Sequence, residues 1–285
     1  VDRVGRMGCR AWPISNWMNE LKAHRWLFEK LVGVHKDKQL PPFVERKFDS
    51  WFKDHQDEVR REIDQGKRKA PSNGKVALFW TCYVNWNQPE IGQAAVRVLD
   101  RNDIDIAAPQ QVCCGMPSLD QGNVDAFLER ARENVAALKP YVDAGRTVVV
   151  PQPTCGYVLK QEYVNLLGGD DARAVAAATM DISEYLVQLD SRGKLDKNYA
   201  LPGGLGPVSY HLPCHLQAQN IGFTSRYLMR TIPKTRVMVN ERCTAHDGTW
   251  AMKEEHFGDS MRLGKKCFDE VDTAEPRVVA SDCPL

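Results

Sequence analysis

The sequence has 285 residues, of which 43% are hydrophobic and 26% charged, proportions typical of a globular protein large enough for two domains. Its net charge of +1 gives no reason to expect nucleic acid as the main partner. No apolar run approaches the ~18–20 residues that span a bilayer, and no segment resembles a secretory signal. We therefore expect a cytoplasmic protein.

The charge is unevenly distributed. Residues 1–74 carry 16 Lys and Arg against 11 Asp and Glu, a net charge of +5, whereas the rest of the chain carries −4. This asymmetry fits either a docking segment or the solvated surface of helices. Trp12, Trp17, Trp26 and Trp51 lie in the same segment, and they fit either ordinary packing or contact with a quinone partner or the inner face of a membrane. Both pairs of alternatives stay open.

The first 74 residues are predicted to form a helical arm and a linker. Ser15 is expected to cap a first helix, and a second amphipathic helix is predicted over residues 43–63, after Pro41 and Pro42. The linker over residues 66–74 is charged and contains Pro and Gly, which is typical of a domain boundary.

After the linker, strands alternate with helices. Strands are predicted over residues 76–80, 104–108, 147–150, 208–211, 237–239 and 278–280. Helices are predicted over residues 89–99, from Asn123 to about Leu138, and over an alanine-rich stretch from about 171 to 189. This alternation predicts an α/β fold with mostly parallel sheets in two Rossmann-like domains. We place them at residues 75–203 and 204–285, and we expect the second to be incomplete at its C-terminal end.

Nine cysteines are spread along the chain without a secretory signal, which favours metal binding or redox chemistry over a disulfide scaffold. Three positions recur in the two halves at nearly constant offsets of 132, 130 and 128 residues. The matching pairs are Cys82 with Cys214, Cys113 with Cys243, and Cys155 with Cys283. Such a recurrence indicates an internal repeat.

Most of the repeated cysteines follow a predicted strand, so they should converge at the carboxyl edge of each sheet. Cysteine tetrads bind zinc or iron–sulfur clusters. Cys113 and Cys114 are adjacent, and in an extended segment their side chains would diverge, which suits a cluster better than one small ion. Gly115 would let the chain turn sharply beside the cluster. Zinc and a buried structural cysteine pair remain alternatives.

The segment QVCCGMP, with Cys82 upstream and PTCGY downstream, resembles the cysteine-rich CCG domain. This domain occurs in the B subunit of heterodisulfide reductase, in the C subunit of anaerobic glycerol-3-phosphate dehydrogenase, and in iron–sulfur subunits of glycolate and lactate oxidases. The resemblance covers about residues 75–285, and the arm is similar to the segment that follows a ferredoxin-like domain in the glycerol-3-phosphate dehydrogenase type.

The resemblance implies two tandem Rossmann-like domains, each with a [4Fe–4S] cluster that in heterodisulfide reductase is non-cubane. It implies a first site of Cys82, Cys113, Cys114 and Cys155. Relatives pass electrons from a flavin-containing dehydrogenase towards quinone. It also implies that the sequence is part of a longer chain with a preceding ferredoxin-like domain.

The sequence departs from the family pattern at both sites. No fifth cysteine follows Cys155, and Thr244 replaces the second adjacent cysteine of the other half. The second site would therefore consist of Cys214, Cys243 and Cys283, with help from His215, His246 or Asp247 remaining open. A cubane cluster, a zinc ion or no metal would each fit this second site. Cys267 and Cys9 are expected to be ordinary thiols.

Three functions fit these residues. The first is an electron-transfer subunit of an oxidoreductase complex, which we favour. The second is a catalytic subunit that reduces heterodisulfides or other disulfides, and the third is a structural zinc module. A nicotinamide or nucleotide enzyme is disfavoured because neither a G-x-G-x-x-G nor a P-loop motif is present.

Overall fold

Residues 2–284 are described by a computed structural model, in which two parallel β-sheets follow a set of N-terminal helices. The strands are β1 Gly74–Leu78, β2 Ile104–Ala107, β3 Thr147–Val150, β4 Thr179–Asp181, β5 Gly206–His211, β6 Thr235–Asn240 and β7 Val278–Ser281. The strand order is β2-β1-β3-β4 in the first sheet and β6-β5-β7 in the second. Both sheets therefore place their first strand between the next two, and the predicted tandem Rossmann-like α/β fold is confirmed.

Helices account for more than half of the residues. In the arm they are α1 Asp2–Arg10, α2 Trp12–Glu20, α3 Lys22–Val32 and α4 Phe48–Asp64. In the first repeat they are α5 Cys82–Trp86, α6 Pro89–Arg101, α7 Met116–Leu119, α8 Val124–Asp143, α9 Pro153–Tyr157, α10 Gly169–Ala178 and α11 Ile182–Ser191, with a π-helical segment Val158–Leu167 continuing α9. In the second repeat they are α12 Cys214–Ala218, α13 Thr224–Thr231 and α14 Glu254–Thr273, preceded by a 3₁₀ turn, Trp250–Met252.

The first sheet is buried on both faces, as the uninterrupted apolar runs of its strands require. Val148 and Val150 of β3 pack on one face with Phe127 of α8, whereas the intervening Val149 packs on the other with Phe48 of α4. Successive side chains of a strand point to opposite faces, so β3 contributes to the core on both sides of the sheet. The core of the second sheet is smaller and centres on Tyr210, Leu212 and Leu216.

Three sequence predictions about elements are wrong. Ser15 does not cap a helix, because α2 already begins at Trp12 and Pro13 supplies a preset backbone angle in its first turn. The second arm helix begins at Phe48 rather than at residue 43. The alanine-rich stretch is not one helix, because β4 interrupts it and Asp181 starts α11 with a capping box.

The arm contacts both repeats. Gly5 and Gly8 of α1 lie so close to Trp86 and Phe43 that a Cβ atom would come within 2.5 and 2.4 Å of their rings. The thiol of Cys9 donates to the Trp86 carbonyl at 3.2 Å, so Cys9 is a buried thiol of this packing.

On the second repeat, Val34 pairs with Lys253 in an antiparallel bridge, and His35 stacks on Phe257 with ring centroids 4.0 Å apart. Lys30 forms an ion pair with Glu254 at 2.9 Å. The arm thus spans from α5 of the first repeat to α14 of the second. Among residues 2–284, none of the helices has the length and apolar character needed to cross a bilayer.

Candidate metal centre

The cysteines of the first repeat meet at the carboxyl edge of its sheet. Cys82 begins α5 after β1, Cys113 and Cys114 follow β2, and Cys155 lies in α9 after β3. Because β2, β1 and β3 are neighbours in that order, three loops distant in sequence leave the sheet side by side. The sequence-predicted first-site residues are therefore brought together.

Thr81 fixes the loop that carries Cys82. Its backbone has φ 71° and ψ 152°, a region in which residues other than glycine are strained. Its hydroxyl accepts a hydrogen bond from the Val84 N–H at 3.4 Å and so caps α5. Strain offset by a cap in this way is common beside functional groups.

Gly115 turns the chain directly after Cys114. Its φ is +98°, and a Cβ atom there would lie 2.8 Å from the Phe127 ring. Only glycine fits both the backbone angle and the space. The turn leaves Cys113 and Cys114 only 2% and 3% exposed, beneath the loop.

The four thiols of the first repeat contact one another in a row. The Cys155 thiol donates to Cys114 Sγ at 3.4 Å, and the thiols of Cys114 and Cys82 both hydrogen-bond to Cys113. The expectation that the side chains of Cys113 and Cys114 diverge is wrong, because their thiols hydrogen-bond to each other. The resulting order is Cys82, Cys113, Cys114 and Cys155.

Among the four thiols, that of Cys113 is the one whose surroundings favour the thiolate form. Hydrogen bonds from Cys114 and Cys82, the Gly115 N–H and the nearby Arg130 lower the pKa of the Cys113 thiol, against the effect of burial. Hydrogen bonding to Cys113 and burial raise the pKa of Cys82. Hydrogen bonds to Cys113 and Cys155 raise that of Cys114. Thiolates are the form in which cysteine binds metals.

Asn134 and Tyr163 support the loop from below. Asn134, fully buried on α8, accepts from the Val112 N–H at 3.0 Å and donates to the Cys113 carbonyl at 3.2 Å and to the Tyr163 hydroxyl at 2.9 Å. Tyr163 in turn donates to the Cys114 carbonyl at 3.0 Å. Both carbonyls of the cysteine pair are therefore held by side chains of the surrounding core.

Asp2 of α1 reaches the same loop from the opposite direction. Its Oδ2 accepts from the Cys113 N–H at 3.1 Å and from Arg130 Nη1 at 2.8 Å. The arm therefore contributes directly to the first site.

Sequence reasoning missed Asp2, Arg130, Asn134 and Tyr163 as parts of the site. Asn134 left a readable signal, because it interrupts the apolar stripe that Phe127, Ala131 and Leu138 form on α8.

The second repeat brings Cys214 and Cys243 together. Burial, followed by the charge of Cys243 and a hydrogen bond with it, raises the pKa of Cys214. Cys243 Sγ accepts from the Ala245 N–H at 3.2 Å, and both cysteines are exposed. Cys283 follows β7, the neighbour of β5 in the sheet, and its N–H donates to Ser281 Oγ at 3.3 Å.

The candidate helpers of the second site have other contacts as well. His215 Nδ1 lies 3.1 Å from Thr154 Oγ1, and His246 Nδ1 lies 3.1 Å from Lys38 Nζ. Asp247 lies close enough to Asp120 for its charge to add to the burial that raises the pKa of Asp120. Within residues 2–284, no three or more His, Cys, Asp or Glu side chains surround a point where a single metal ion could bind.

The two cysteine sites adjoin across the boundary between the repeats. Helix α9, which carries Cys155, packs against α12, which begins at Cys214. Thr154 and His215 form the hydrogen bond between them, and the Tyr157 ring lies 5.1 Å from that of His215. Gln219 adds a hydrogen bond to the Pro153 carbonyl at 3.0 Å. The residue next to each cysteine therefore contacts the other repeat.

Comparison with known families finds one domain model matching around each set of repeated cysteines. The sequence model of the cysteine-rich CCG domain matches twice, at residues 76–160 and 208–285, which together make up more than half of the chain. The chain belongs to the cysteine-rich CCG-domain family. Each matched region contains one set of repeated cysteines, so the repeat inferred from their offsets corresponds to two copies of the domain.

Named relatives of this CCG-domain protein include subunits of larger enzymes. It is 26% identical to the C subunit of anaerobic glycerol-3-phosphate dehydrogenase of Escherichia coli over 99% of this chain and 69% of the relative. It is 28% identical to lactate utilization protein A of Bacillus pumilus over 73% of this chain and 87% of the relative. It is 27% identical to the B subunit of fumarate reductase (CoM/CoB) of Methanothermobacter marburgensis, over 80% of this chain and 45% of the relative.

The donor set of the first site fits an iron–sulfur cluster. Four cysteine thiols from three loops are the ligands that such clusters use, and three of the four are buried with Cys82 half-buried. Their contacts run from one thiol to the next rather than around one centre, which suits a group with several metal atoms better than a single ion. The second site shows two thiols in contact, both exposed, and fits a metal group less completely.

Proposed function

We propose that this protein is an iron–sulfur electron-transfer subunit whose first CCG domain holds a [4Fe–4S] cluster. The observation that carries the proposal is the convergence of Cys82, Cys113, Cys114 and Cys155 at one sheet edge, with Cys114 and Cys155 sulfurs 3.4 Å apart. When bound, the cluster supplies a one-electron redox centre. The chain supplies its ligands and their surroundings.

The residues of the first site have distinct parts in this function. Asn134 and Tyr163 fix the carbonyls of Cys113 and Cys114, so that both thiols stay turned towards Cys82 and Cys155. Burial of the cysteine pair excludes water, and the Gly115 N–H donates to Cys113 sulfur. Hydrogen bonding to ligand sulfurs and solvent access are the means by which proteins tune such potentials.

We propose that Cys214, Cys243 and Cys283 hold a second metal group, a [4Fe–4S] cluster or zinc. The packing of α9 on α12 supports a relay, because it leaves the two sites separated only by adjoining helices. Zinc in the second site would give that site a structural role instead, since zinc carries no electrons.

We propose a flavin-type dehydrogenase as electron donor and a quinone or another small acceptor as electron sink. The support is indirect: the names of two relatives describe subunits of a dehydrogenase and of a reductase. We place the protein in the cytoplasm, where thiols remain reduced, with peripheral contact at the inner face of the membrane if the acceptor is a quinone.

The proposal is tested by replacing one cysteine at a time. Cys113→Ala removes the thiol that contacts two others, so we expect loss of the first-site iron, measured by iron and sulfide analysis with electron paramagnetic resonance. Cys267→Ala is the matched control, because Cys267 is buried on α14 and its carbonyl accepts from Asn240. Unchanged iron content in the Cys113 variant would contradict the assignment, and zinc in place of iron would favour the structural alternative.

A further inference from the structure

Large apolar side chains are concentrated on the outer side of the first three helices. We call the exposed residues of α1–α3 the arm face. It includes Met7, Ile14, Trp17, Trp26, Leu27 and Leu31, of which Trp17 and Trp26 are 60% and 55% exposed. Helix α2 contacts both α1 and α3, so these exposed side chains lie on neighbouring helices. Large apolar side chains exposed in such number mark an interaction site.

Basic side chains lie among the apolar ones on the same helices. Arg3, Arg6 and Arg10 are exposed on α1, and Lys22 and Lys30 are exposed on α3. Residues 2–32 contain three acidic side chains, of which only Glu20 is exposed. The face is therefore complementary to an acidic surface, and its arginine, methionine and tryptophan are the residues enriched in protein–protein interfaces.

The inner side of the same helices is held firmly. Gly5 and Gly8 let α1 lie directly on the Trp86 and Phe43 rings. Arg25 of α3, only 5% exposed, donates to three carbonyls of the loop that follows, those of residues 35, 36 and 38. Because the helices are fixed from within, the arm face is preformed, and a partner would not have to order it on binding.

The arm face lies close to the first site. Asp2, on the inner side of α1, accepts from the Cys113 N–H at 3.1 Å. A helix with its side chains is about 10–12 Å across. A protein docked on α1 would therefore lie within about one helix diameter of the cysteine pair.

We propose that the arm face is the docking surface for a protein redox partner, a flavoprotein whose own patch combines apolar and acidic side chains. This inference rests on the proposed electron-transfer function. Charge complementarity favours an acidic partner, and nearness to Cys113 favours a protein over a lipid surface, because an electron donor must approach the ligand thiols whereas a lipid need not.

The test uses the full-length protein, purified under conditions that load iron, and the flavoprotein that copurifies with it from its native cells. The flavoprotein is identified by its bound flavin alone, and its ability to reduce the first-site iron is measured separately. Two variants change the arm face: Arg3→Glu with Arg6→Glu, and Met7→Ser with Trp26→Ser. Matched controls are Arg97→Glu with Arg132→Glu, on exposed sites of α6 and α8, and Met261→Ser with Leu263→Ser on α14.

We expect both arm variants to bind the flavoprotein roughly tenfold more weakly or worse, and the charge variant also to lose the salt dependence of association. The controls should bind like the wild type. Iron content and electron paramagnetic resonance spectrum should be the same in all five proteins, which keeps a folding defect apart from a docking defect.

Four results would overturn the docking proposal. These are equal affinity of the arm variants and controls, no flavoprotein bound to the wild type, arm-dependent binding to phosphatidylglycerol vesicles with flavoprotein binding intact, and an arm-dependent dimer of this chain. A wild-type protein that binds the flavoprotein but holds no reducible iron would instead refute the electron-transfer function.

Discussion

Asn134 is a polar side chain in the apolar layer between α8 and the first sheet. It is fully buried and makes three hydrogen bonds, to the Val112 N–H, the Cys113 carbonyl and the Tyr163 hydroxyl. A buried amide side chain stabilises the fold only if its donors and acceptors are hydrogen-bonded. Removing it leaves the groups that it bonded buried without a hydrogen-bond partner. Asn134 therefore couples the fold of the core to the position of the cysteine loop.

Asn134→Ala should lower the free energy of unfolding by about 3 kcal/mol, because three buried partners lose their bond at once. Urea unfolding followed by circular dichroism measures the change. Asn165→Ala, at an exposed position of the π-helical segment, is the control and should change stability by less than about 0.5 kcal/mol. Equal stabilities of the two variants would show that Asn134 has no such role.

The identity of the site cysteines could be predicted from the sequence, but the direction of their side chains could not. The nearly constant offsets identify which cysteines occupy equivalent positions in the two repeats, because an offset depends only on the number of residues between equivalent strands. Whether Cys113 and Cys114 diverge depends on backbone angles set by Gly115 and by tertiary bonds to Asn134 and Tyr163. Those bonds join residues far apart in sequence, so no local pattern specifies them.

At the scale of elements, the packing of α1 depends on two small residues. Gly5 and Gly8 are one helical turn apart and bring the backbone of α1 against aromatic rings. The same helix carries Asp2 to the Cys113 N–H. The distance between α1 and the body of the protein thus determines whether the arm reaches the first site.

Gly8→Ala should lift α1 from Phe43, since the added methyl would lie 2.4 Å from the ring. Removal of Asp2 from Cys113 would follow, and we expect several-fold faster loss of iron to a chelator. Gly258→Ala is a matched control on α14, where an added Cβ meets nothing within 4 Å. The same rate of iron loss in both variants would argue against this coupling.

Strands with a buried apolar run were predictable, whereas the shortest strand was not. The strands β1, β3 and β5 are buried runs bounded by turn residues, and the sequence located all three within two residues. β4 has only three residues and lies between helix-forming alanines, so local propensity favours helix there. The Asp181–Glu184 capping box was the available signal, because it indicates a new helix start.

At the scale of the whole molecule, a buried polar network joins the two repeats. Asp181 accepts from the Ser183 N–H at 2.8 Å and from its hydroxyl at 2.6 Å, and Ser183 Oγ lies 2.7 Å from Thr224 Oγ1 of the second domain. Burial, aided by the charge of Asp282, raises the pKa of Asp181 to about 6. We therefore expect the stability of this contact between the repeats to depend on pH.

The sign of this sensitivity follows from proton binding. Between the unfolded pKa of 3.8 and the folded pKa of about 6, the folded protein keeps a proton that the unfolded chain has lost. Stability should therefore fall as pH rises through this window. Asp181→Asn removes the titration and keeps an acceptor, so its stability relative to wild type should increase by about 2 kcal/mol from pH 4 to pH 6.

Urea unfolding of both proteins across this range measures the difference directly, because all other titrating groups are shared. A difference that stays constant with pH would exclude Asp181 as the origin. Ser191→Ala, at an exposed residue of α11, is a control that should run parallel to the wild type at every pH.

The contacts that span the whole molecule could not be predicted from the sequence. The pairing of Val34 with Lys253 and the contact of Asp2 with Cys113 connect segments more than 100 residues apart. Composition indicated only that the arm is basic and rich in tryptophan. The surface that the arm covers depends on how its helices fit and hydrogen-bond to the two repeats, which are distant from it in sequence.

The short sulfur-to-sulfur approach in the first site has a practical consequence for handling the protein. With Cys114 and Cys155 at 3.4 Å, an oxidant that accepts two electrons and two protons can join them as a disulfide with little movement of the backbone. Aerobic isolation would then leave a cross-linked, metal-free protein that cannot be reloaded until a thiol reductant opens the bridge.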